Sequence, residues 1–248
     1  MNPILLVTGG SRGIGAACAL LAARQGWDVA VNYTSDAAAA EAVAAQVRSF
    51  GRRAITLRAD VADEAAVLAM FHAVDLELGP LHGLVNNAGV VDVAARIDEG
   101  SVARWQRMFN INVIGSLLCA REAVRRMSKR HGGAGGVIVN LSSAAARLGS
   151  PGQYVDYAAA KGAIDVFTLG LAREVAAEGI RVNAVRPGII ETDIHASGGE
   201  PDRAAQLAPA VPMKRAGSAE EVAQAIVWLL AEESSYTTGA VIDVTGGR

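Results

Sequence analysis

The stretch Ile4-Leu5-Leu6-Val7-Thr8-Gly9-Gly10-Ser11-Arg12-Gly13-Ile14-Gly15 sets the reading of the whole chain. Its first four residues are a short unbroken apolar run, as expected of a strand buried on both faces. From Ile14 to Arg24 the apolar residues recur with helical spacing. Between the two lies a turn carrying Gly9, Gly13 and Gly15. Glycine lets a backbone turn sharply and approach another group closely, and a helix starting directly after such a turn offers unpaired N–H groups to an anion. The spacing Gly9-x-x-x-Gly13-x-Gly15 departs from the G-x-G-x-x-G pattern of dinucleotide loops. Taken alone, the turn also admits a reading of tight packing without a ligand.

Working outward, the same alternation continues to the end of the chain. Ile4–Val7, Val29–Tyr33, Ala54–Arg58, Gly83–Val85, Val137–Leu141, Arg181–Val185 and Val241–Val244 read as buried strands. Ile14–Arg24, Asp36–Phe50, Glu64–Leu78, Ser101–Lys129, Tyr157–Glu178 and Ala219–Leu230 read as helices. Strands alternating with helices predict an α/β, doubly wound fold: a seven-stranded parallel sheet with helices on both faces. No linker or repeat divides the chain, so residues 1–248 are expected to form a single domain. The stretch 189–215, rich in Gly, Pro and charge, is expected to be a mobile lid.

Composition narrows the function classes. Among 248 residues, 23 Lys+Arg stand against 25 Asp+Glu, a net charge of −2. Such a chain carries no electrostatic footprint for nucleic acid or an anionic membrane. Cys18 and Cys119 each fall in an apolar helical pattern and read as buried thiols. The scattered histidines His72, His82, His131 and His195 have no ligand spacing, so no metal site is expected. The N-terminus has no leader pattern and no run is long enough to span a bilayer, which predicts a soluble, cytoplasmic protein.

Six motifs now stand in order: Thr8-Gly9-Gly10-x-x-Gly13-x-Gly15; Asn86-Asn87-Ala88-Gly89 after the fourth strand; Asn112 in Asn-Val-Ile-Gly; Ser143 after the fifth strand; Tyr157-Ala-Ala-Ala-Lys161; and Pro187-Gly188 with Thr192 after the sixth. Together they resemble the short-chain dehydrogenases/reductases, single-domain Rossmann oxidoreductases, over the whole chain. The resemblance implies a catalytic set of Asn112, Ser143, Tyr157 and Lys161. It implies a nicotinamide cofactor held by Gly9, Ser11, Arg12, Gly13, Ile14, Gly15, Asn32, Tyr33, Thr34, Asp60, Val61, Asn87, Ala88, Gly89, Tyr157, Lys161, Pro187, Gly188, Ile190 and Thr192. It also implies a homotetramer, built through small residues such as Ala158, Ala159 and Gly162. Ser143, Gln153 and His195 are candidate substrate contacts.

The residues support that chemistry physically. Tyr157 and Lys161 are four apart and share one helix face. An ammonium beside a phenol favours the phenolate and is expected to lower its pKa, which suits a general acid and base. Ser143 can donate a hydrogen bond to a reacting oxygen. The family pattern gives Asn112 the anchoring of a proton-supplying water chain through Lys161. Ser143 stands 14 residues before Tyr157, one more than is usual in the family. Ser142 therefore competes for the role, with Ser143 preferred because Gly149 follows it at the family's turn distance. Tyr154 has no lysine four residues later.

The second strand ends without a carboxylate, which predicts NADP(H) over NAD(H), with NAD a possible cofactor. Asp36 is the objection, answered by a helix N-cap role. Arg12 is the expected partner of an adenosine 2′-phosphate, with Asn32, Thr34 and Ser35 as neutral donors; a solvent-facing arginine is the alternative. The expected substrate is a small carbonyl or secondary alcohol. A sugar, as in glucose 1-dehydrogenase-like members, is preferred. The alternative is a 3-oxoacyl-carrier-protein reductase in fatty-acid synthesis, docking on Arg125, Arg126, Lys129 and Arg130. A sensor or scaffold that binds NADP without turnover is the competing class.

Overall fold

The computed structural model describes residues 2–192, 198–200 and 202–248. Seven parallel strands, β1 Ile4–Val7, β2 Asp28–Tyr33, β3 Ala54–Arg58, β4 Gly83–Asn86, β5 Gly136–Leu141, β6 Ile180–Pro187 and β7 Val241–Val244, pair in the order β3-β2-β1-β4-β5-β6-β7. The seven expected strands are all present, each within a few residues of its expected bounds.

Strand periodicity assigns the two layers. On β1, Leu5 and Val7 face one side while Ile4 and Leu6 face the other. The first side packs against α1 Gly13–Arg24, α2 Ala37–Ser49 and a C-terminal helix, Ala219–Leu230. The second packs against α3 Glu64–Glu77, α5 Gly115–Met127 and α7 Val155–Val175, α4 and α6 being the short helices Val102–Phe109 and Ala145–Leu148. A period of two along a strand places successive side chains on opposite faces, so one short apolar run feeds both cores. Cys18 lies in the first core and Cys119 in the second, each a free buried thiol pushed up to about 12 by burial, with Glu122 adding to the shift at Cys119.

Caps explain where several helices begin. Asp36 accepts from the Ala39 amide at 2.9 Å, Asp63 accepts from Ala65 and Ala66, and Ser218 with Glu221 forms a reciprocal capping box.

One expectation is corrected. Ser101–Lys129 is not one helix: a π-helical turn at Asn110–Ile114 separates α4 from α5. The Asn112 side chain donates to the Met108 carbonyl at 3.0 Å, competing for a helix acceptor, and Gly115 presses on Val61, where a Cβ would sit 2.6 Å from a methyl. Such bulges recur at functional sites. The described residues of the stretch 189–215, expected to be a lid, include some regular structure. They hold α8 Arg203–Leu207, a 3-10 turn at Ala208–Ala210 and a bridge between Ile190 and Gly217, before α9 Ala219–Leu230 begins. Arg203 of α8 donates to Gln153 and lies 5.0 Å from the Tyr154 ring centroid. His195 lies outside the described residues. Among the described residues, no helix is long and apolar enough to cross a membrane.

Candidate active site

The strand order reverses between β1 and β4, and ligands of open α/β sheets bind beyond the strand ends at such a switch. The glycine turn after β1 and the Asn86–Gly89 turn after β4 meet there. Thr8 accepts through Oγ1 from the amides of Asn87 and Ala88, both at 3.0 Å, and the Asn87 carboxamide donates to the carbonyls of Thr8 and Gly9 at 2.9 Å. Gly15 has no room for a side chain, since a Cβ would stand 2.4 Å from the Gly9 carbonyl oxygen. Gly9 and Gly13 have φ of +60° and +53°, which side-chain-bearing residues rarely adopt. Helix α1 carries neither a side-chain cap nor an acidic residue in its first turn, leaving its N–H groups free for an anion. Thr192 lies over Gly13, its methyl 3.4 Å from where a Cβ would be.

Ser143, Tyr157 and Lys161 converge at the end of β5 and the start of α7, on the wall of a cleft of about 490 Å³. The structure separates the two serines. The Ser143 hydroxyl acts on the phenol, favouring its charged form, and accepts the Ala145 amide at 3.1 Å, whereas Ser142 is buried and donates to the Lys161 carbonyl at 3.2 Å. Lys161 is buried and donates through Nζ to the Leu141 carbonyl at 2.7 Å, with Nζ 5.6 Å from the Tyr157 ring centroid. Burial pulls the ammonium down to about 8, against an opposing pull from Asp165. The expectation of a lowered phenol pKa is corrected: burial pushes Tyr157 up to about 12, outweighing the opposing pull of the Ser143 hydroxyl. The lysine charge is itself desolvated and committed to a carbonyl, so burial prevails over attraction. Asn112 is fully buried in the π turn, and its carboxamide is spent on the backbone of Val90 and on Met108. A Cβ on Gly89 would meet both Asn112 Oδ1 and Lys161 Nζ, so these groups flank one small space.

The cleft also reaches Ile14, Asn87, Gly89, Gln153, Pro187, Gly188, Ile190 and Thr192. Tyr33, Thr34, Asp60 and Val61 do not line the cleft; they stand at and just beyond the C-terminal ends of β2 and β3, on the sheet edge that carries the glycine turn. Asp60 caps its own turn by accepting from Ala62, and Val61 is buried under Gly115. Arg12 and Thr34 are exposed and Ser11 and Tyr33 half-buried. Asn32 requires correction as a cofactor donor. It is buried, accepts from the Gly9 amide at 3.1 Å, and donates to the carbonyls of Leu57 and Ala59. Its polar atoms hold the glycine loop to β3.

Sequence reading missed three charged features. Arg58 pairs in register with Tyr33 and donates through Nε to the Thr34 carbonyl at 3.2 Å, which places a second guanidinium at the end of β2. Arg203 lines the cleft with Leu148, Pro151 and Tyr154. Arg104 grips Asp156, the residue before Tyr157, at 2.6 and 3.2 Å. The first was findable from strand register; the others join residues about fifty positions apart and leave no local pattern. His82 is half-buried and accepts the Ile4 amide through Nδ1 at 3.1 Å. No three His, Cys, Asp or Glu side chains come together to hold a metal among the described residues.

Comparison with known proteins places this geometry. A family model described as enoyl-(acyl carrier protein) reductase matches residues 9–248. The chain is 56% identical over 245 residues to a protein of Escherichia coli named uncharacterized oxidoreductase YgfF, with 99% of each chain covered. It is 37% identical to glucose 1-dehydrogenase 2 of Bacillus subtilis, over 98% of this chain and 93% of that one. A crystal structure of a short-chain dehydrogenase from Burkholderia cenocepacia in complex with NADP superposes with a TM-score of 0.89 at 35% identity, covering 99% and 97% of the two chains. The glycine loop, the serine–tyrosine–lysine cluster and this likeness along almost the whole length show that the chain belongs to the short-chain dehydrogenase/reductase family of oxidoreductases.

Proposed function

We propose that this chain is an NADP(H)-dependent oxidoreductase that interconverts a carbonyl and a secondary alcohol. The observation that carries the reading is the meeting of the Ser143 hydroxyl, the Tyr157 phenol and the buried Lys161 in one cleft with Ile14 and Thr192 of the phosphate-binding side. The uncapped start of α1 and the crowded Gly15 fit the pyrophosphate of a dinucleotide. When bound, the nicotinamide cofactor supplies or takes up the hydride. The residues of the chain do the rest. Ser143 donates a hydrogen bond to the substrate oxygen and holds it near the phenol. Tyr157, protonated at neutral pH, gives its Oη proton to that oxygen during reduction and takes one back during oxidation. Lys161 lends positive charge to the phenol as its proton leaves, and Asn112 keeps the π turn shaped beside Lys161. An assay of nicotinamide absorbance with a panel of sugars, ketones and secondary alcohols tests the reading, and absence of turnover across the panel overturns it.

The preference for NADP(H) rests on the charges at the end of β2. Asp36 is spent capping α2, while the Arg12 side chain is exposed beside the loop and Arg58 is held at Thr34. A charge-assisted bond contributes about 1.5–3 kcal/mol. Arg12→Ala should therefore lower the ratio of kcat/KM for NADPH to that for NADH by roughly 10- to 100-fold. A native ratio below one, or an unchanged ratio in the variant, overturns the assignment.

For the substrate, a sugar or similar small polyol is the class taken here, with the 3-oxoacyl-carrier-protein reductase reading as the alternative. Support for the sugar is the Bacillus subtilis relative's name and the state of the basic cluster on α5. Arg125 and Arg126 are both paired with Glu122, Arg126 also with Asp75, and Arg130 lies 3.9 Å from Glu178. That leaves a weak patch for an acidic carrier protein. Gln153, held by Arg203, is the proposed substrate contact at the cleft rim. Exposed Val166 and Leu169 on α7, with open space over Gly162 and Gly170, support a homotetramer built on that helix.

A further inference from the structure

Tyr157, Lys161 and Asp165 follow one another at intervals of four along α7 and so line a single face of it. Asp165 is held in an unusual way. Arg186 of β6 donates through Nε and Nη2 to the same carboxylate oxygen, Oδ2, at 3.0 and 2.9 Å. The other oxygen, Oδ1, is buried and has no hydrogen-bond partner among the described residues. A buried carboxylate oxygen without a donor is costly and needs a compensating interaction. Arg186 is also not a simple partner. Its Nη1 reaches Asp243 of β7 at 3.5 Å, and Asp243 accepts from Arg147 of α6 at 2.6 Å. Charges of alternating sign thus run from buried Lys161 through Asp165, Arg186 and Asp243 to exposed Arg147.

The groups around the Lys161 ammonium come from several elements. They are the Tyr157 phenol on α7, the Leu141 carbonyl on β5, and the Asn112 carboxamide of the π turn beside Gly89. None of these is a carboxylate, and Asp165 is the acidic group acting on the ammonium.

We propose that Asp165 is a positioning residue: clamped at one oxygen by Arg186, it supplies the counter-charge that keeps the buried Lys161 ammonium charged next to the phenol. The proposal rests on the roles given above to Tyr157 and Lys161. Burial and Asp165 act on Lys161 in opposite directions, and together they leave it near 8, close to working pH. Neutralising Asp165 removes the group that favours the ammonium, so Lys161 loses its proton at lower pH. Neutralising Arg186 frees the full charge of Asp165, so Lys161 keeps its proton to higher pH.

The test is the alkaline limb of two pH profiles, kcat and NADPH affinity, the latter followed by cofactor fluorescence. Asp165→Asn should move the limb down by about one pH unit, and Arg186→Gln should move it up, in both profiles. A purely structural role predicts lower melting temperatures in both variants with the limb in place, and that result overturns the proposal. Movement in the same direction in both variants overturns it as well. If Asp165→Asn does not fold, Arg186→Gln decides alone, because it leaves Asp165 present: an upward shift supports the role and no shift or a downward one sinks it. Turnover surviving in Tyr157→Phe would instead remove the underlying reading of the site. An inert Tyr157→Phe together with unmoved limbs would refute the counter-charge alone.

Discussion

Tyr157→Phe should lose turnover by roughly 10²- to 10⁴-fold, the usual contribution of a positioned general acid, while NADPH affinity stays within about threefold of the native value. The substitution removes one oxygen and leaves the ring in place over Lys161. Burial holds the phenol at about 12, so at neutral pH the native group carries the proton that carbonyl reduction consumes. Steady-state kcat and a fluorescence titration of NADPH separate the two effects. A Phe variant that keeps more than a few per cent of kcat would mean that another group is the acid, with Tyr154 the nearest alternative phenol on the cleft wall.

Arg104→Ala should be the most destabilising single change in the region of the site. Asp156 opens the first turn of α7, one residue before Tyr157. It accepts from Arg104 at 2.6 and 3.2 Å and from the Tyr157 amide at 2.9 Å. The two side chains of the pair are 13% and 6% exposed. Removing one partner of a largely buried pair leaves an uncompensated charge, which costs about 3 kcal/mol at the lower end of the range for such sites. For a chain of this length that corresponds to a fall in Tm of about 6–12 °C. The pH dependence has a definite sign. Burial raises the Asp156 carboxyl, but the Arg104 hydrogen bonds and the Tyr157 amide outweigh it and leave the pKa below the ordinary value. The stability from this carboxylate is therefore present above the unfolded carboxyl range and is lost as pH falls through the depressed folded value. Native and variant melting temperatures should differ most near neutral pH and converge in acid. Arg104→Ala with Asp156→Asn should recover part of the loss, because no buried charge is left unpaired. Equal losses at pH 4 and pH 7 would contradict this account. Because the pair sits at the base of Tyr157, kcat in the single variant should fall as well.

Much of the molecule was legible in the order of its residues. Ile4–Val7 announced a buried strand because four consecutive apolar residues satisfy two faces at once. Tyr157 and Lys161 announced a shared helix face because an interval of four is one turn. Asp36 announced a cap, and the missing carboxylate after Tyr33 announced the cofactor preference proposed here. These readings use neighbours along the chain, and the backbone geometry of helices, strands and turns is dictated locally. What only the tertiary structure decided are the questions whose answers lie far away in sequence. Asn32 was read as a ligand donor, yet its carboxamide is consumed by Gly9, Leu57 and Ala59 once β1, β2 and β3 align. Ser143 and Ser142 are adjacent, and only the packing of β5 against α7 turns one toward the phenol and the other under Lys161. The long helix expected over Ser101–Lys129 breaks at Asn112 because Val90 and Val61, from other parts of the chain, press on that turn. Even the sign of the Tyr157 shift was decided by depth of burial, which no interval between residues encodes. Local sequence sets what each segment can form and which side chains share a face; whether a polar atom on that face meets a ligand, a backbone group or another charge is settled by the register of distant segments, because hydrogen bonds and desolvation depend on which atoms lie within a few ångströms.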